Sequence, residues 1–404
     1  MTNLLLQNVL LEYGIQKNNN NPDSTITQTK DILIENGVIS KIENNIPVPS
    51  NTEVYNADEQ LLLPSFREMH IHIDKTYFSG PWKAPKPITN GILTRIEEEQ
   101  QLLPEQLEFA PERADNFVRH LIKNGHTHIR THCNIDPSIQ LENLKVTVET
   151  LEKYKNLITY EIVAFPQHGL LRSEVTPLMR EAMRNGATLV GGVDPATIDR
   201  DIDQSLSTMF DIASESDSGI DIHLHDWDTL GEFTFYKLIN LTKKHQLQGR
   251  VTISHAIALG DIHGERLIAM MDALKEAGID ITTTIPINRP TIPVLTLAEN
   301  GIEVSVGHDS LTDHWSPFGT GDTIEKLSTL AERFNIKHES GLAQLWKFAS
   351  GGITPLNKDG EQVWPAIGDK ANLLLVDASC SAETIARRKE IKQVVSRGQL
   401  VHSI

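Results

Sequence analysis

Apolar residues follow two different rhythms along this chain. Near the start, Leu4–Tyr13 and Asp31–Ile42 are short runs rich in Ile, Val and Leu, separated by a polar stretch that contains Asn18–Asn21. Near the end, Ala371–Val376 and Ile391–Val401 have the same character around a polar, helix-prone piece. Such runs predict strands, and the polar stretch a loop. Neither end holds enough apolar material for its own core. Residues 1–58 and 356–404 are therefore expected to pair into one small β domain.

Through residues 59–355 the rhythm alternates. Candidate strands are Thr127–Thr131, Tyr160–Phe165, Thr188–Val193, Gly219–His223, Val251–Ser254, Asp280–Thr284 and Glu303–Val306. Each precedes a longer segment of helical period, such as Glu174–Asn185 and Gly264–Ala277. Strand–helix alternation predicts an α/β fold with a parallel sheet. Eight such units close into a (β/α)8 barrel of the TIM type. An open doubly wound sheet is the rival, but no GxGxxG or P-loop follows any candidate strand.

Charge narrows the partners. The 404 residues carry 37 Lys+Arg against 54 Asp+Glu, a net charge of −17. An acidic surface repels phosphate backbones, which excludes duplex nucleic acid as a partner. No polybasic run suggests a membrane surface, and no run of eighteen apolar residues is present. The N-terminus lacks a basic stretch, and the two cysteines, Cys133 and Cys380, lack metal-type spacing. A cytoplasmic protein is expected. The same cysteine count excludes the nucleic-acid-editing zinc deaminases, which need H-x-E with P-C-x-x-C.

The sixteen histidines are informative by position. His70 and His72 stand two apart directly after the apolar run Leu61–Phe66, so on a strand both rings share one side. His223 ends Gly219–Ile222, His255 ends Val251–Ser254, and Asp309 follows Glu303–Gly307. In a (β/α)8 barrel the carboxyl ends of the strands build the active site, so these five groups converge. Imidazoles with one carboxylate suit Zn²⁺ or Fe²⁺, and such an ion lowers the pKa of water toward 7 to make a nucleophile.

Further strings carry a family pattern. They are Leu63-Pro64-Ser65-Phe66 leading into His70-Ile71-His72-Ile73-Asp74-Lys75; Asn124-Gly125-His126-Thr127-His128-Ile129-Arg130-Thr131-His132; Val163-Ala164-Phe165-Pro166-Gln167; Asp221-Ile222-His223; Ser254-His255; Gly307-His308-Asp309; and Trp315-Ser316-Pro317-Phe318-Gly319. In order and spacing the chain resembles the amidohydrolase superfamily, and within it the cytosine deaminase group. The resemblance implies that His70, His72, His223 and Asp309 ligate one divalent metal ion. It implies that His255 sits beside the activated water and polarises the group under attack, that Asp309 also accepts the water's proton, that Gln167 hydrogen-bonds a ring amide, and that Trp315 walls the pocket. Binuclear relatives bridge their metals with a carboxylated Lys. The run Ile162–Gly169 contains none, which favours one ion.

Two positions depart from the group. Asp226 stands where cytosine deaminases look to carry a proton-shuttling Glu, three residues past His223, and is expected to carry the proton to the departing nitrogen with His225 as its only nearby competitor. Ser310 replaces a ring-binding Asp and is a candidate for substrate contact. The chemistry is expected to persist with a different heterocycle: a pyrimidine, triazine, pterin or creatinine-like ring that loses ammonia or an amine. Ring-opening of a cyclic amide and a non-catalytic metal-binding paralogue are the alternatives. His225 is a candidate for substrate contact. Lys75 is open between substrate contact and a local ion pair. His126, His128 and His132 are expected to be hydrogen-bonded barrel interior, and His308 to be structural. The number of subunits is left open, with a homo-oligomer allowed.

Overall fold

A computed structural model describes residues 3–17 and 23–402; the loop expected around Asn18–Asn21 lies outside the described residues. Both chain ends build one mostly antiparallel sheet. Asn3–Gln16 pairs with Ser24–Glu35, which pairs with Val38–Glu43. On its other side Asn3–Gln16 meets Thr52–Asn56 and Leu61–Pro64. Leu61–Pro64 then pairs with Leu373–Val376, followed by Ile391–Ser396 and Gln399–Leu400. Leu4, Leu6, Ile32, Leu62, Leu375 and Val395 are packed in one core of this sheet. The α-helix Ser381–Ala386 occupies the polar piece between the C-terminal strands.

The second sheet is the barrel. Its eight parallel strands are Phe66–Ile71, His126–Asn134, Thr159–Phe165, Leu189–Val193, Gly219–His223, Val251–Ser254, Ile279–Thr283 and Val304–Val306, in chain order. Each candidate strand of the central region lies within a residue or two of an observed one, except that the second runs on to Asn134. The apolar run Leu61–Phe66 divides between the sheets. Ser65 N–H still donates to Asn372 C=O in the terminal sheet (3.2 Å), whereas Phe66 N–H donates to Gly125 C=O ahead of the second barrel strand (2.9 Å). A run buried on both faces carries no alternation to show which sheet owns it.

The barrel closes at the site. Asp309 N–H donates to His70 C=O and His72 N–H to Asp309 C=O, both at 2.8 Å. The eighth strand therefore returns to the first through the predicted ligands themselves. Gly307 permits this approach, because a Cβ there would meet His70 Cβ at 2.7 Å. Among the described residues no helix is long and apolar enough to cross a membrane.

Candidate metal centre and active site

Each predicted ligand sits at the carboxyl end of a barrel strand, and the structure brings them together. His72 Nε2 lies 3.3 Å from His223 Nε2. Asp309 Oδ1 lies 3.5 Å from both His70 Nε2 and His72 Nε2. Donor atoms of His70, His223, His255 and Asp309 all fall within 4.8 Å of one another. Four donors about 2.1 Å from a tetrahedral ion stand about 3.4 Å apart. The observed separations fit that figure.

Hydrogen bonding gives an independent test. His70 Nε2 and His255 Nε2 are buried with no hydrogen-bond partner among the described residues. Buried polar nitrogens are rarely left so, and an ion would complete them. The tautomer of His70 follows from its surroundings. Ser254 Oγ donates to Asp221 Oδ1 at 2.7 Å, and Asp221 Oδ2 accepts from Arg130 at 2.9 Å. Ser254 Oγ is thus an acceptor for His70 Nδ1, 2.8 Å away. With the proton on Nδ1, the Nε2 lone pair faces the cluster.

Electrostatics points the same way. Burial, reinforced by the neighbouring imidazoles, holds His223 and His255 well below the usual histidine range. Burial and Lys75 lower His72. Neutral rings are what a metal needs. Asp309 experiences burial that would raise its pKa, but His255, His70 and His72 outweigh it and hold the carboxyl well below its ordinary value. His255 and Asp309 both have φ of +68°. That left-handed conformation is costly for a residue with a Cβ, and it recurs where a backbone must aim a functional side chain.

His132 differs from its expectation as hydrogen-bonded interior. Its two ring nitrogens are buried without partners, and its ring lies 4.1 Å from that of His70 and 4.5 Å from that of His223. It belongs to the packing under the cluster. His126 and His128 are hydrogen-bonded as expected, to Leu121 C=O and Thr323, and to Thr159 and Glu161. His308 Nδ1 donates to Glu68, whose other oxygen accepts the backbone N–H groups of His70 and His308. Glu68 therefore fastens the first strand to the eighth beneath the ligands.

The two proton-shuttle candidates are held differently. His225 donates Nδ1–H to Asp194 Oδ2 (2.8 Å), and its ring lies 4.3 Å from that of His255. Burial disfavours its charge, yet Asp194 more than compensates and raises its pKa. Asp226 turns toward the fourth strand's loop, where Oδ1 accepts from Thr197 Oγ1 at 2.5 Å. Its Oδ2 is buried and unpartnered, and burial together with Asp194 raises its pKa.

Lys75 lies among Gln167, Glu99, Phe165 and Trp315. Its ammonium donates to Gln167 Oε1 at 2.8 Å and to Glu99 Oε1 at 3.1 Å. Its Nζ lies 5.9 Å from the Phe165 ring centre and 5.7 Å from that of Trp315. Phe165 in turn stacks on His223 at 4.0 Å, so the Lys75–Gln167 pair borders the histidine–Asp309 cluster across that ring. Ser310 lines a cavity of about 690 Å³ with Asp309 and His308.

Two residues of this site escaped the sequence reading. Asp194 ends the fourth strand and obeys the same rule as His223 and His255, so that rule could have found it. Glu99 sits in Glu97-Glu98-Glu99, which reads as a solvated helix face.

The Amidohydrolase family matches residues 53–402 of this chain. Uncharacterized protein YahJ of Escherichia coli strain K12 is 40% identical over 399 residues, 98% of this chain and 87% of that protein. The crystal structure of N-isopropylammelide isopropylaminohydrolase from Burkholderia multivorans superposes with a TM-score of 0.86 at 28% identity, covering 99% of this chain and 98% of that one. The 5-methylcytosine deaminase from Klebsiella pneumoniae shares the fold with a TM-score of 0.78 at 23% identity, covering 99% and 97%. The chain belongs to the Amidohydrolase family, and is a hydrolase of that class.

Proposed function

We propose that this protein hydrolyses an exocyclic C–N bond of a small nitrogen heterocycle and releases ammonia or an amine. The observation that carries the reading is the convergence of buried imidazole nitrogens, those of His70 and His255 unpartnered, on the Asp309 carboxylate. His70, His72, His223 and Asp309 would hold one divalent ion, Zn²⁺ or Fe²⁺ by their donor chemistry. Such an ion, when bound, supplies Lewis acidity and a water reactive near neutral pH.

The chain's own residues then divide the remaining work. His255 hydrogen-bonds the ring group that becomes electron-rich on attack. Asp309 accepts a proton from the attacking water. The departing nitrogen must be protonated, because an amide anion leaves poorly. We assign that step to His225 in place of the expected Asp226: Asp194 holds Nδ1, which leaves Nε2 as the atom that gives the proton. Gln167 and Lys75 grip the ring, and Trp315 walls it. Asp226 is a second reading for the proton carrier, favoured by its raised pKa and unpartnered oxygen. The name of the Burkholderia relative supports a triazine among the candidate rings.

The test is a panel of amino-substituted pyrimidines, triazines and pterins, assayed at once for released amine and for new carboxylate. Amine release without a carboxylate supports the proposal. A carboxylate without amine assigns the chain to cyclic-amide opening. Turnover of neither, with no metal in protein purified from metal-replete medium, marks a non-catalytic paralogue.

A further inference from the structure

Glu99 is fully buried and collects five side-chain donors. Oε1 accepts from Lys75 Nζ (3.1 Å), His314 Nε2 (2.7 Å) and Trp315 Nε1 (2.8 Å). Oε2 accepts from His168 Nε2 (2.7 Å) and Asn134 Nδ2 (3.3 Å). These partners come from the first, second, third and eighth strands and the loops that follow them. His168 also donates Nδ1–H to Asp136, so both its nitrogens carry protons; burial opposes that charge, but Asp136 and Glu99 raise its pKa to about 9. Both oxygens of Glu99 are thereby committed, Oε1 partly to Lys75.

One consequence reaches the pocket. Lys75 has only donors, so the Gln167 atom it holds is the carbonyl oxygen. The Gln167 amide nitrogen makes no hydrogen bond among the described residues. A freely rotating glutamine would offer a substrate either a donor or an acceptor. This one is turned so that its free end is a donor, and the neighbouring ammonium adds another.

We propose that Glu99 is a positioning residue that sets the hydrogen-bond polarity of the substrate pocket. It keeps Lys75 charged and in place, Lys75 fixes the Gln167 amide, and that edge of the pocket then takes rings presenting carbonyl oxygens or a deprotonated ring amide. An amino group at the same edge would face donors with a donor. This inference rests on the reading of the cluster as a heterocycle site, and it names the class of ring: oxo-substituted and acidic at the edge away from the scissile bond.

The test uses two rings of threefold symmetry, so that orientation cannot obscure the result: cyanuric acid, which shows a carbonyl at every carbon, and melamine, which shows an amine. Binding to the metal-loaded enzyme is measured by titration calorimetry, with ammonia monitored in the same cell. Cyanuric acid should bind at least about tenfold tighter, because an unmatched buried donor is costly. Glu99→Gln should shrink that ratio at least about fivefold with metal content unchanged. Gln167→Glu replaces the free donor with an acceptor and should shrink it as well. Lys75→Met, which releases the Gln167 amide, carries the same expectation if Glu99→Gln does not fold. Equal binding of the two rings, binding of neither, or an unchanged ratio in Gln167→Glu and in the foldable one of the other two variants overturns the proposal. If the ratio behaves as stated but no amino ring is hydrolysed, the deaminase reading fails and the polarity assignment stands.

Discussion

Two buried polar clusters share the mouth of the barrel and are built on opposite rules. Around Glu99 both carboxylate oxygens are fully matched, although His314 Nδ1 and Asn134 Oδ1 at the edge of the cluster have no partner among the described residues. The groups are held charged: His168 is raised to about 9, and Glu99, despite burial, is held well below the usual carboxylate range by Lys75 and the two histidines. Around Asp309 burial holds His223 and His255 neutral, and His70 Nε2 and His255 Nε2 have no partner among the described residues. A cluster whose central carboxylate is satisfied rigidifies a frame, whereas unpartnered buried nitrogens that converge on a carboxylate call for a further partner, and an ion is one that fits. On the proposed reading, the contrast separates the part of the mouth that holds shape from the part that would hold an ion.

Removing the ligand should strike the unsatisfied cluster first. Chelation is expected to lower turnover by several kcal/mol of barrier, about 10³-fold or more, with recovery on adding Zn²⁺ or Fe²⁺. Stripped protein that keeps its turnover would erase the distinction between the clusters. Next in size is the proton carrier. His225→Asn should lose about 10²–10⁴-fold in kcat while retaining metal, and Asp226→Asn should lose less. The reverse order would hand the step to Asp226.

The satisfied cluster should answer in stability instead. A histidine whose folded pKa is raised from 6.5 to about 9 stabilises the fold below pH 6.5, and that contribution disappears as pH rises through 9. His168→Asn should therefore cost about 3 kcal/mol at pH 6 and much less at pH 10, by 1.36 kcal/mol per unit. Urea unfolding at the two pH values reads the difference, and a cost independent of pH would show that His168 acts through packing.

A smaller effect of opposite sign is expected lower in the barrel. Burial and Glu303 raise Asp280 to about 7. A raised carboxyl makes the fold less stable as pH climbs from the unfolded value near 3.8 to 7. Asp280→Asn should gain about 1–2 kcal/mol at pH 8, after discount for the solvent that reaches it, and nothing below pH 4. A gain that persists at pH 3.5 contradicts this cause.

The two clusters also differ in how far the sequence disclosed them. The candidate ligands were legible as a converging set because each stands where an apolar run ends, and strand ends converge in a barrel. His225 was visible too, but its weight against Asp226 depends on Asp194, which approaches from a different strand. Glu99 could not be read at all. Three consecutive glutamates look solvated, and only tertiary packing buries the third against Lys75, His168 and His314. The split of Leu61–Phe66 between two sheets was hidden for a related reason, since apolar residues at every position erase the period that would assign a face.

Metal content per chain tests the central claim most directly. Wild type and His223→Ala are purified from metal-replete medium, shown to be folded by circular dichroism, and analysed by plasma mass spectrometry. About one divalent ion per wild-type chain, and close to none in His223→Ala, is the predicted result. Metal-free wild type, or a variant that keeps full occupancy, would contradict the assignment of the histidine cluster as the metal centre.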